Sequence, residues 1–479
     1  MNALLKLLAI LCPLGVMHLA VEAADPSAEV KNGIWLGTLK TPNGQELRMV
    51  IEVFPKADGT TAAVLDILDQ GRMGMPFDEI TFSEGRLRCG MSAAGLVIAG
   101  KASEDLSSID ATWEQGGGSL PLPLKAVEEV PGPPPRPQTP RRPFPYQEQQ
   151  VIFENADAGV KLSGTLTLPG SPRPTAAVLL VAGSGPNTRE GTGMGHFLLL
   201  ADYLTRHGYA VLRYDKRGVM RSTGDYTTAT TEDFAEDALA GVQYLRNRPE
   251  IDPAQIGIIG HSEGGIIAPM VAARSSEVAF IASLGGSGLN GHALMVLQDC
   301  SEAVANGAAP ADVPIIRDWV ERFYTVAGSG EEPSVVKGKL EQMYADMTDE
   351  EKRALRAEEG FPKRGTTLDA NVASSAWFRE FLAVDPAEFL NKVSCPVLAV
   401  VGGKDAQVPP KENLEAIAAA LRSGGNTRGT LLELPGLNHL FQTAGDGSTR
   451  EYDELSEIIA PEALVAVVHW IMQQTGRLP

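Results

Sequence analysis

The stretch Gly260-His261-Ser262-Glu263-Gly264 places a serine between two glycines at the end of a β-branched apolar run. An apolar stretch over 266–273 follows and is compatible with a helix. Strand, sharp turn and helix are the context in which a G-x-S-x-G pattern presents a serine hydroxyl as a nucleophile. Such a turn is called a nucleophile elbow, and here it would consist of residues 260–264. The glycines are needed because strand and helix approach closely there. A chance match is the alternative, but the flanking elements favour Ser262 as the candidate nucleophile.

A serine nucleophile needs a base that takes its proton and a carboxylate that orients the base. Asp405 comes just after the apolar run 396–401, although a loop aspartate that begins a turn is the alternative. His439 lies on a glycine-containing loop after the last predicted strand, 430–434. His261 is expected to pack beside the elbow, and helices or helix ends are expected for four others: His196, His207, His292 and His469. The sequence therefore predicts a catalytic triad of Ser262, His439 and Asp405.

The charge that develops on the substrate oxygen requires hydrogen-bond donors. Gly183-Ser184-Gly185-Pro186 follows the apolar run 176–182, and the backbone N–H of Ser184 or Gly185 is predicted to join the N–H of Glu263 in an oxyanion hole. An ordinary Gly-Pro turn is the alternative. The sequence leaves open which of the two loop amides points inward.

The elements that must position these residues alternate between strands and helices. Apolar strands are predicted over 176–182, 209–214, 256–260, 278–284 and 396–401, with helices over 196–207 and 231–246. Such alternation predicts a mostly parallel sheet with helices on both faces. A β-hairpin over 150–168 opens this domain. The helix-rich segment 294–390, with predicted helices over 314–327, 335–347 and 349–359, is interpreted as a lid inserted between two strands.

The N-terminal part of the chain has a different pattern. Seven short runs rich in β-forming residues and separated by turns predict a small all-β accessory domain over 24–127, either a sandwich or an open barrel. These runs are 33–39, 46–54, 61–67, 79–82, 86–90, 95–102 and 108–114. Residues 128–148 form a proline-rich linker, for which a spacer is the preferred interpretation over a peptide ligand. The catalytic domain is expected over 149–479. Substrate access, anchoring or partner binding are possible roles of the β domain.

Residues 1–23 have the character of a secretory signal peptide: an early Lys6, an apolar run and a small-residue cleavage site, Val21-Glu22-Ala23. A membrane anchor is the alternative, but the run is short and contains Pro13 and His18. No later stretch is long enough to span a bilayer. We therefore expect export to the periplasm or the extracellular space.

Composition narrows the class of protein. A chain of 479 residues with 43% hydrophobic and 21% charged residues is typical of a soluble globular protein with about two domains. The formal net charge of −19 argues against nucleic acid as a partner. Three cysteines remain beyond the signal peptide, Cys89, Cys300 and Cys395, too few and too scattered for a disulfide framework or a zinc site. No metal or organic cofactor is implied.

From about residue 149 to its end the chain resembles bacterial α/β-hydrolases of the serine-aminopeptidase-like (S33-type) group, many of which are esterases. Five stretches carry the resemblance: 182–186 (AGSGP), 214–218 (YDKRG), 260–265 (GHSEGG), 403–408 (GKDAQV) and 436–442 (GLNHLFQ). The β domain, which ends in Trp113-Glu114-Gln115-Gly116-Gly117, is similar to an extension of some exported members. Met220 departs from the pattern, because similar proteins have a glycine there. The resemblance implies an α/β-hydrolase fold and the triad named above.

The implied activity is that of an exported serine hydrolase that cleaves a small-molecule acyl ester through an acyl-enzyme. A serine peptidase with the same triad is the first alternative, because fold alone does not separate the two. An acyltransferase and a non-catalytic binding protein are less favoured. Trp377 and Phe378, in the predicted lid, could line the acyl pocket, although helix packing would explain them equally well.

Overall fold

The computed structural model describes residues 32–42, 44–70, 72–131, 136–171, 173–191, 194–356 and 372–477. The predicted signal peptide lies outside these residues. Contacts between Cα atoms divide the described chain into two compact units. The first contains the residues up to 131 together with Gly218–Thr223, and the second contains 136–217 and 224–477. Each unit is described by itself.

The first unit is a nine-stranded antiparallel sheet. The strands are β1 (Gly33–Lys40), β2 (Glu46–Pro55), β3 (Thr61–Ile67), β4 (Arg72–Pro76), β5 (Glu79–Ser83), β6 (Arg86–Met91), β7 (Leu96–Ala102), β8 (Ser108–Gln115) and β9 (Gly118–Ala126). Their order in the sheet is β4-β3-β2-β1-β9-β8-β7-β6-β5. Alternate side chains form one buried core that includes Trp35, Met49 and Trp113.

The two edge strands of this sheet, β4 and β5, are consecutive in the chain. Only Phe77 and Asp78 separate them, and these residues donate backbone hydrogen bonds to Ala63 of β3 and Gly90 of β6, at 3.0 Å each. The sheet therefore curls until the end of β4 lies beside the start of β5, which gives it a barrel-like shape. No backbone ladder joins β4 to β5 among the described strands, so the barrel is open between them.

The second unit contains an eight-stranded sheet of order β10-β11-β13-β12-β14-β15-β16-β17. Strand β11 is antiparallel to both of its neighbours, β10 and β13, and the remaining six strands are parallel to one another. Strands β12, β15 and β16 are buried along their whole length. The strands are β10 (Gln147–Asn155), β11 (Val160–Leu168), β12 (Thr175–Val181), β13 (Ala210–Tyr214), β14 (Ile251–His261), β15 (Phe280–Leu284), β16 (Val397–Gly402) and β17 (Gly429–Leu434).

Helices cover both faces of this sheet, as the apolar strands predict. The helices are α1 (His196–Arg206), α2 (Thr231–Arg246), α3 (Glu263–Arg274), α4 (Gly291–Ala305), α5 (Val313–Ala327), α6 (Pro333–Ala345), α7 (Asp349–Arg356), α8 (Ala376–Ala383), α9 (Ala387–Leu390), α10 (Pro410–Ser423) and α11 (Pro461–Gln474). Along β12, Ala177 and Leu179 pack into the core under α2, α3 and α10, whereas Val178 and Leu180 pack into the core under α1 and α11.

Helices α4 to α9 form a helical insertion between β15 and β16. Five of them, α4 to α8, share a small core of their own that includes Trp319, Tyr324 and Phe378. The predicted helix over 349–359 is observed as α7, Asp349–Arg356, and residues 357–371 lie outside the described part. Among the helices of the described residues, none combines the length and the apolarity that a membrane crossing requires.

Part of the predicted linker packs on the second unit. The Gln138 side-chain amide donates to the carbonyl of Ile459 at 2.6 Å, and the Tyr146 hydroxyl donates to Asp202 at 2.8 Å. Residues 136–146 are therefore fixed by polar contacts within this unit.

Candidate active site

Ser262 stands at the sharp turn between β14 and α3. Its backbone has φ 57° and ψ −121°, a conformation that L-residues rarely adopt. A Cβ atom at Gly264 would lie 2.1 Å from the carbonyl oxygen of Val181, and one at Gly260 would lie 1.8 Å from the carbonyl oxygen of Gly264. Strand and helix therefore approach as closely as the glycine pattern predicts, and the side chain of Ser262 is only half-buried.

Gly264→Ala should destabilise the second unit by about 3 kcal/mol, because overpacking against backbone atoms leaves no side chain that can move away. Gly338→Ala is the matched control, since a Cβ at this position in α6 meets no atom within 4 Å. The free energy of unfolding of the control should rise by roughly 0.5–1 kcal/mol, because alanine has a higher helix propensity than glycine. Urea unfolding of both variants measures the difference, and equal midpoints would contradict the close approach.

His439 and Asp405 are brought together from the loops after β17 and β16. The distance from His439 Nδ1 to Asp405 Oδ2 is 2.8 Å, and both side chains are buried. The other carboxylate oxygen accepts backbone N–H groups of Gln407 at 2.9 Å and Val408 at 2.7 Å. A carboxylate held in this way fixes the imidazole with its proton on Nδ1, which leaves Nε2 as the basic nitrogen.

Ser262 and His439 are anchored to the same neighbouring backbone. The Ser262 N–H donates to the carbonyl of Leu284 at 2.9 Å, and a Cβ on the next residue, Gly285, would lie 3.1 Å from His439 Nδ1. Ser262 Oγ and His439 form no hydrogen bond in the part of the chain that the structure describes. In serine hydrolases this hydrogen bond is commonly long before substrate binds. The three predicted triad residues therefore lie at one edge of the sheet, where a hydrogen bond joins two of them, His439 and Asp405.

His261 ties the elbow to the loop of His439. Its Nε2 donates to the carbonyl oxygen of His439 at 2.9 Å. Its ring lies 4.8 Å from the ring of His439 and 5.1 Å from that of His196. Burial, aided by the neighbouring histidines, holds the pKa of His261 well below its usual value, and burial lowers the pKa of His196 to about 3. Both rings are therefore neutral at neutral pH.

Lowering the pH from 7 to 5 should destabilise the second unit. The unfolded chain takes up protons on His196 and His261 below their ordinary pKa of about 6.5, whereas the folded chain does not. The stability present above pH 6.5 is then lost as the pH falls towards the folded pKa, by about 2 kcal/mol for His196 at pH 5, and His261 adds to the loss in the same direction. His196→Gln should show a shallower decline of the urea midpoint with falling pH. Identical slopes would contradict this expectation.

The loop after β12 approaches Ser262 from the other side. A Cβ on Gly183 would lie 2.8 Å from Ser262 Cβ, so backbone packs directly against the elbow. The Asn187 side-chain amide donates to the carbonyl oxygens of Gly183, Ser184 and Gly185, at 2.9, 2.8 and 3.2 Å. The predicted oxyanion residues therefore lie on a loop whose carbonyls are tied together. Sequence reasoning missed Asn187, although an asparagine after Gly-Pro is a typical turn-forming signal.

Two buried ion pairs explain the Tyr214-Asp215-Lys216-Arg217-Gly218 motif. The carboxylate of Asp215 accepts hydrogen bonds from the guanidinium and from the backbone N–H of Arg189, and the distance from Nη2 to Oδ2 is 2.6 Å. Arg217 Nε donates to Asp237 at 2.7 Å. Asp215 thus fixes the end of the loop after β12, and Arg217 fixes α2. Met220, where similar proteins have glycine, has φ 46°, in the left-handed region that glycine favours.

Glu263, which follows Ser262, has a buried carboxylate with three hydrogen-bond donors. Lys216 Nζ lies at 3.1 Å, Thr231 Oγ1 at 2.7 Å and Trp377 Nε1 at 2.8 Å. Burial lowers the pKa of Lys216, and the adjacent Glu263 opposes this change. Trp377 is half-buried beside the elbow. Phe378 is buried, and its ring lies 5.9 Å from that of Tyr324, so it packs in the core of the helical insertion.

Comparison with known proteins agrees with this architecture. Esterase EstD of Thermotoga maritima is 26% identical over 303 residues, which span 62% of this chain and 62% of that protein. An uncharacterized 31.7 kDa protein of Escherichia coli is 25% identical over 230 residues, 47% of this chain and 72% of that protein. The chain thus covers less than two thirds of the length of the Thermotoga esterase.

Solved structures with similar architecture include two esterases. One from Pyrococcus furiosus has a TM-score of 0.41 at 17% sequence identity, and the match covers 71% of this chain and 97% of that protein's chain. Est1E from Butyrivibrio proteoclasticus, bound to ferulic acid, has a TM-score of 0.40 at 18% sequence identity, and the match covers 68% of this chain and 99% of that protein's chain. The model described as "Alpha/beta hydrolase family" matches residues 178–447, more than half of the sequence, and the chain therefore belongs to the alpha/beta hydrolase family.

Proposed function

We propose that the protein is an exported carboxylic ester hydrolase that uses Ser262, His439 and Asp405 as a catalytic triad. The observation that carries the proposal is the hydrogen bond of 2.8 Å between His439 Nδ1 and Asp405 Oδ2. It lies at the sheet edge where the strained turn presents Ser262. The similarity to an esterase of Thermotoga maritima supports the choice of ester substrates.

In the proposed mechanism, His439 Nε2 accepts the proton of Ser262 as the hydroxyl attacks the acyl carbonyl. Asp405 stabilises the imidazolium that forms and keeps the ring in its orientation. The negative charge on the carbonyl oxygen is taken up by the N–H of Glu263 and by an N–H of Ser184 or Gly185. His439 then protonates the leaving alcohol, and a water molecule releases the acid by the same route.

The helical insertion is proposed to act as a lid, with Trp377 on the wall of the acyl pocket. The indole nitrogen is held by Glu263, which places this side chain beside the residue that follows the nucleophile. Phe378 contributes by packing within the insertion. Export rests on residues 1–23 alone, and the N-terminal sequence of the protein recovered from its native host tests it.

An ester and an amide of the same acyl group, assayed side by side, test the proposed reaction. A peptidase of the aminopeptidase type needs a carboxylate to hold the substrate ammonium. The carboxylate of Glu263 is paired with Lys216, but that of Glu380, which accepts the backbone N–H of Thr231 at 3.0 Å, keeps this alternative open. From the similarity to the Thermotoga esterase we expect turnover of short-chain aryl esters and little turnover of amino-acid amides. Amide cleavage without ester cleavage would replace the proposal by the peptidase alternative. A transacylated product with added alcohol would indicate an acyltransferase.

A further inference from the structure

A buried charge pair lies directly behind the proposed oxyanion hole. The side chains of Lys216 and Glu263 are 4% and 1% exposed, and Nζ lies 3.1 Å from the carboxylate. The ammonium group also stands 4.0 Å from the centroid of the Phe234 ring, a favourable cation–π position. Nothing in the triad mechanism uses this pair, although the backbone N–H of Glu263 is one of its proposed oxyanion donors.

Lys216 is connected to both halves of the proposed oxyanion hole. Its side chain holds the carboxylate of Glu263, on the nucleophile side. Its backbone N–H donates to the carbonyl of Asn187 at 3.2 Å, and the Asn187 amide in turn binds the carbonyls of Gly183, Ser184 and Gly185. One residue therefore spans the two loops whose N–H groups must converge on the substrate oxygen.

We propose that Lys216 is a positioning residue whose charge cancels that of Glu263 and so permits an oxyanion to form beside it. The inference rests on the proposed ester hydrolysis and goes beyond the triad. A carboxylate buried next to the oxyanion hole repels the negative charge that develops in the transition state, and this repulsion is strong where water is excluded. The ammonium of Lys216 removes the net negative charge without touching the substrate.

The proposal predicts opposite behaviour for the two partners. Lys216→Met keeps the apolar stem over Phe234 but leaves the carboxylate uncompensated, so kcat should fall by ~10²-fold, as when one oxyanion donor is lost. KM should stay within about 3-fold, because the ground state carries no oxyanion. Glu263→Gln keeps an acceptor for Trp377 and Thr231 and adds no negative charge, so kcat should fall by less than ~10-fold. The double variant should recover at least ~10-fold of the kcat lost in Lys216→Met.

Steady-state kinetics on one aryl ester, with circular dichroism to establish folding, measure these effects. Arg217→Met is the matched control, since it breaks the adjacent buried pair with Asp237 and should lower stability while kcat changes by less than about 3-fold. If Lys216→Met does not fold, Lys216→Gln, which can donate a hydrogen bond without carrying charge, has the same expected loss.

Two results would overturn the proposal: equal losses in both single variants with no recovery in the double variant, or the same loss in Arg217→Met as in Lys216→Met. Either pattern would make the pair a purely structural contact. The proposed function is tested separately in the same assay, because it fails only if the unaltered protein does not hydrolyse the ester.

Discussion

Ser262→Ala should reduce kcat for ester hydrolysis by about 10⁴- to 10⁶-fold, the range expected when a serine nucleophile is removed. Any residual rate would come from the oxyanion donors and from substrate binding. The fold should be retained, because alanine adds no atoms at a position where β14 and α3 already approach closely. Initial rates on an aryl ester measure the effect.

Ser329→Ala, in an exposed loop of the helical insertion, is the matched control and should leave kcat unchanged. A folded Ser262→Ala protein with more than a few per cent of the original rate would exclude Ser262 as the nucleophile. Activity lost equally in the control would instead point to damage unrelated to chemistry.

Asp405→Asn should lower kcat by about 10⁴-fold, because an amide cannot stabilise the imidazolium and favours the wrong tautomer of His439. The size of the side chain is unchanged, and its oxygen can still accept the N–H groups of Gln407 and Val408. The loss should therefore appear in kcat with the unfolding midpoint little altered.

Asp453→Asn, on the exposed segment before α11, is the control for the same chemical change and should retain full activity. An Asp405→Asn protein within about 10-fold of the original kcat would mean that the pair with His439 has no part in catalysis. The measurement is best made with an ester whose acylation step limits the rate.

The parts of the site that the sequence could predict are those tied to local pattern. Gly260 and Gly264 are required by one strand-to-helix turn, and their spacing around Ser262 is visible in five residues. The loops of Asp405 and His439 follow apolar strands, so their placement at a common edge follows from the parallel sheet.

Contacts made across long chain separations were not predictable in this way. Trp377 meets Glu263 across 114 positions, through a helical insertion whose packing has no local signature. The aromatic residue was recognised, but its partner was not. Lys216 was visible as a residue of the 214–218 motif, whereas Asn187 was not, and their connection depends on two loops that only the folded sheet brings together.

The N-terminal unit shows the same limit. Seven of its strands were predicted from their composition, whereas β4 and β9 were missed. Pro121 and Pro123 argue against a strand in β9, but both lie before the stretch that pairs with β1, so no hydrogen bond to β1 is lost there. The curvature that brings β4 close to β5 depends on the pairing of β4 with β3 and of β5 with β6. Short runs of sequence do not encode which strands pair.

The central claim, that Ser262 is the activated nucleophile, is tested most directly by labelling the folded protein with a fluorophosphonate and locating the adduct by mass spectrometry. We expect one adduct per chain, on the peptide that contains Ser262, with ester hydrolysis lost in proportion to labelling. An adduct on another residue, or full hydrolysis with Ser262 unlabelled at saturating reagent, would contradict the assignment.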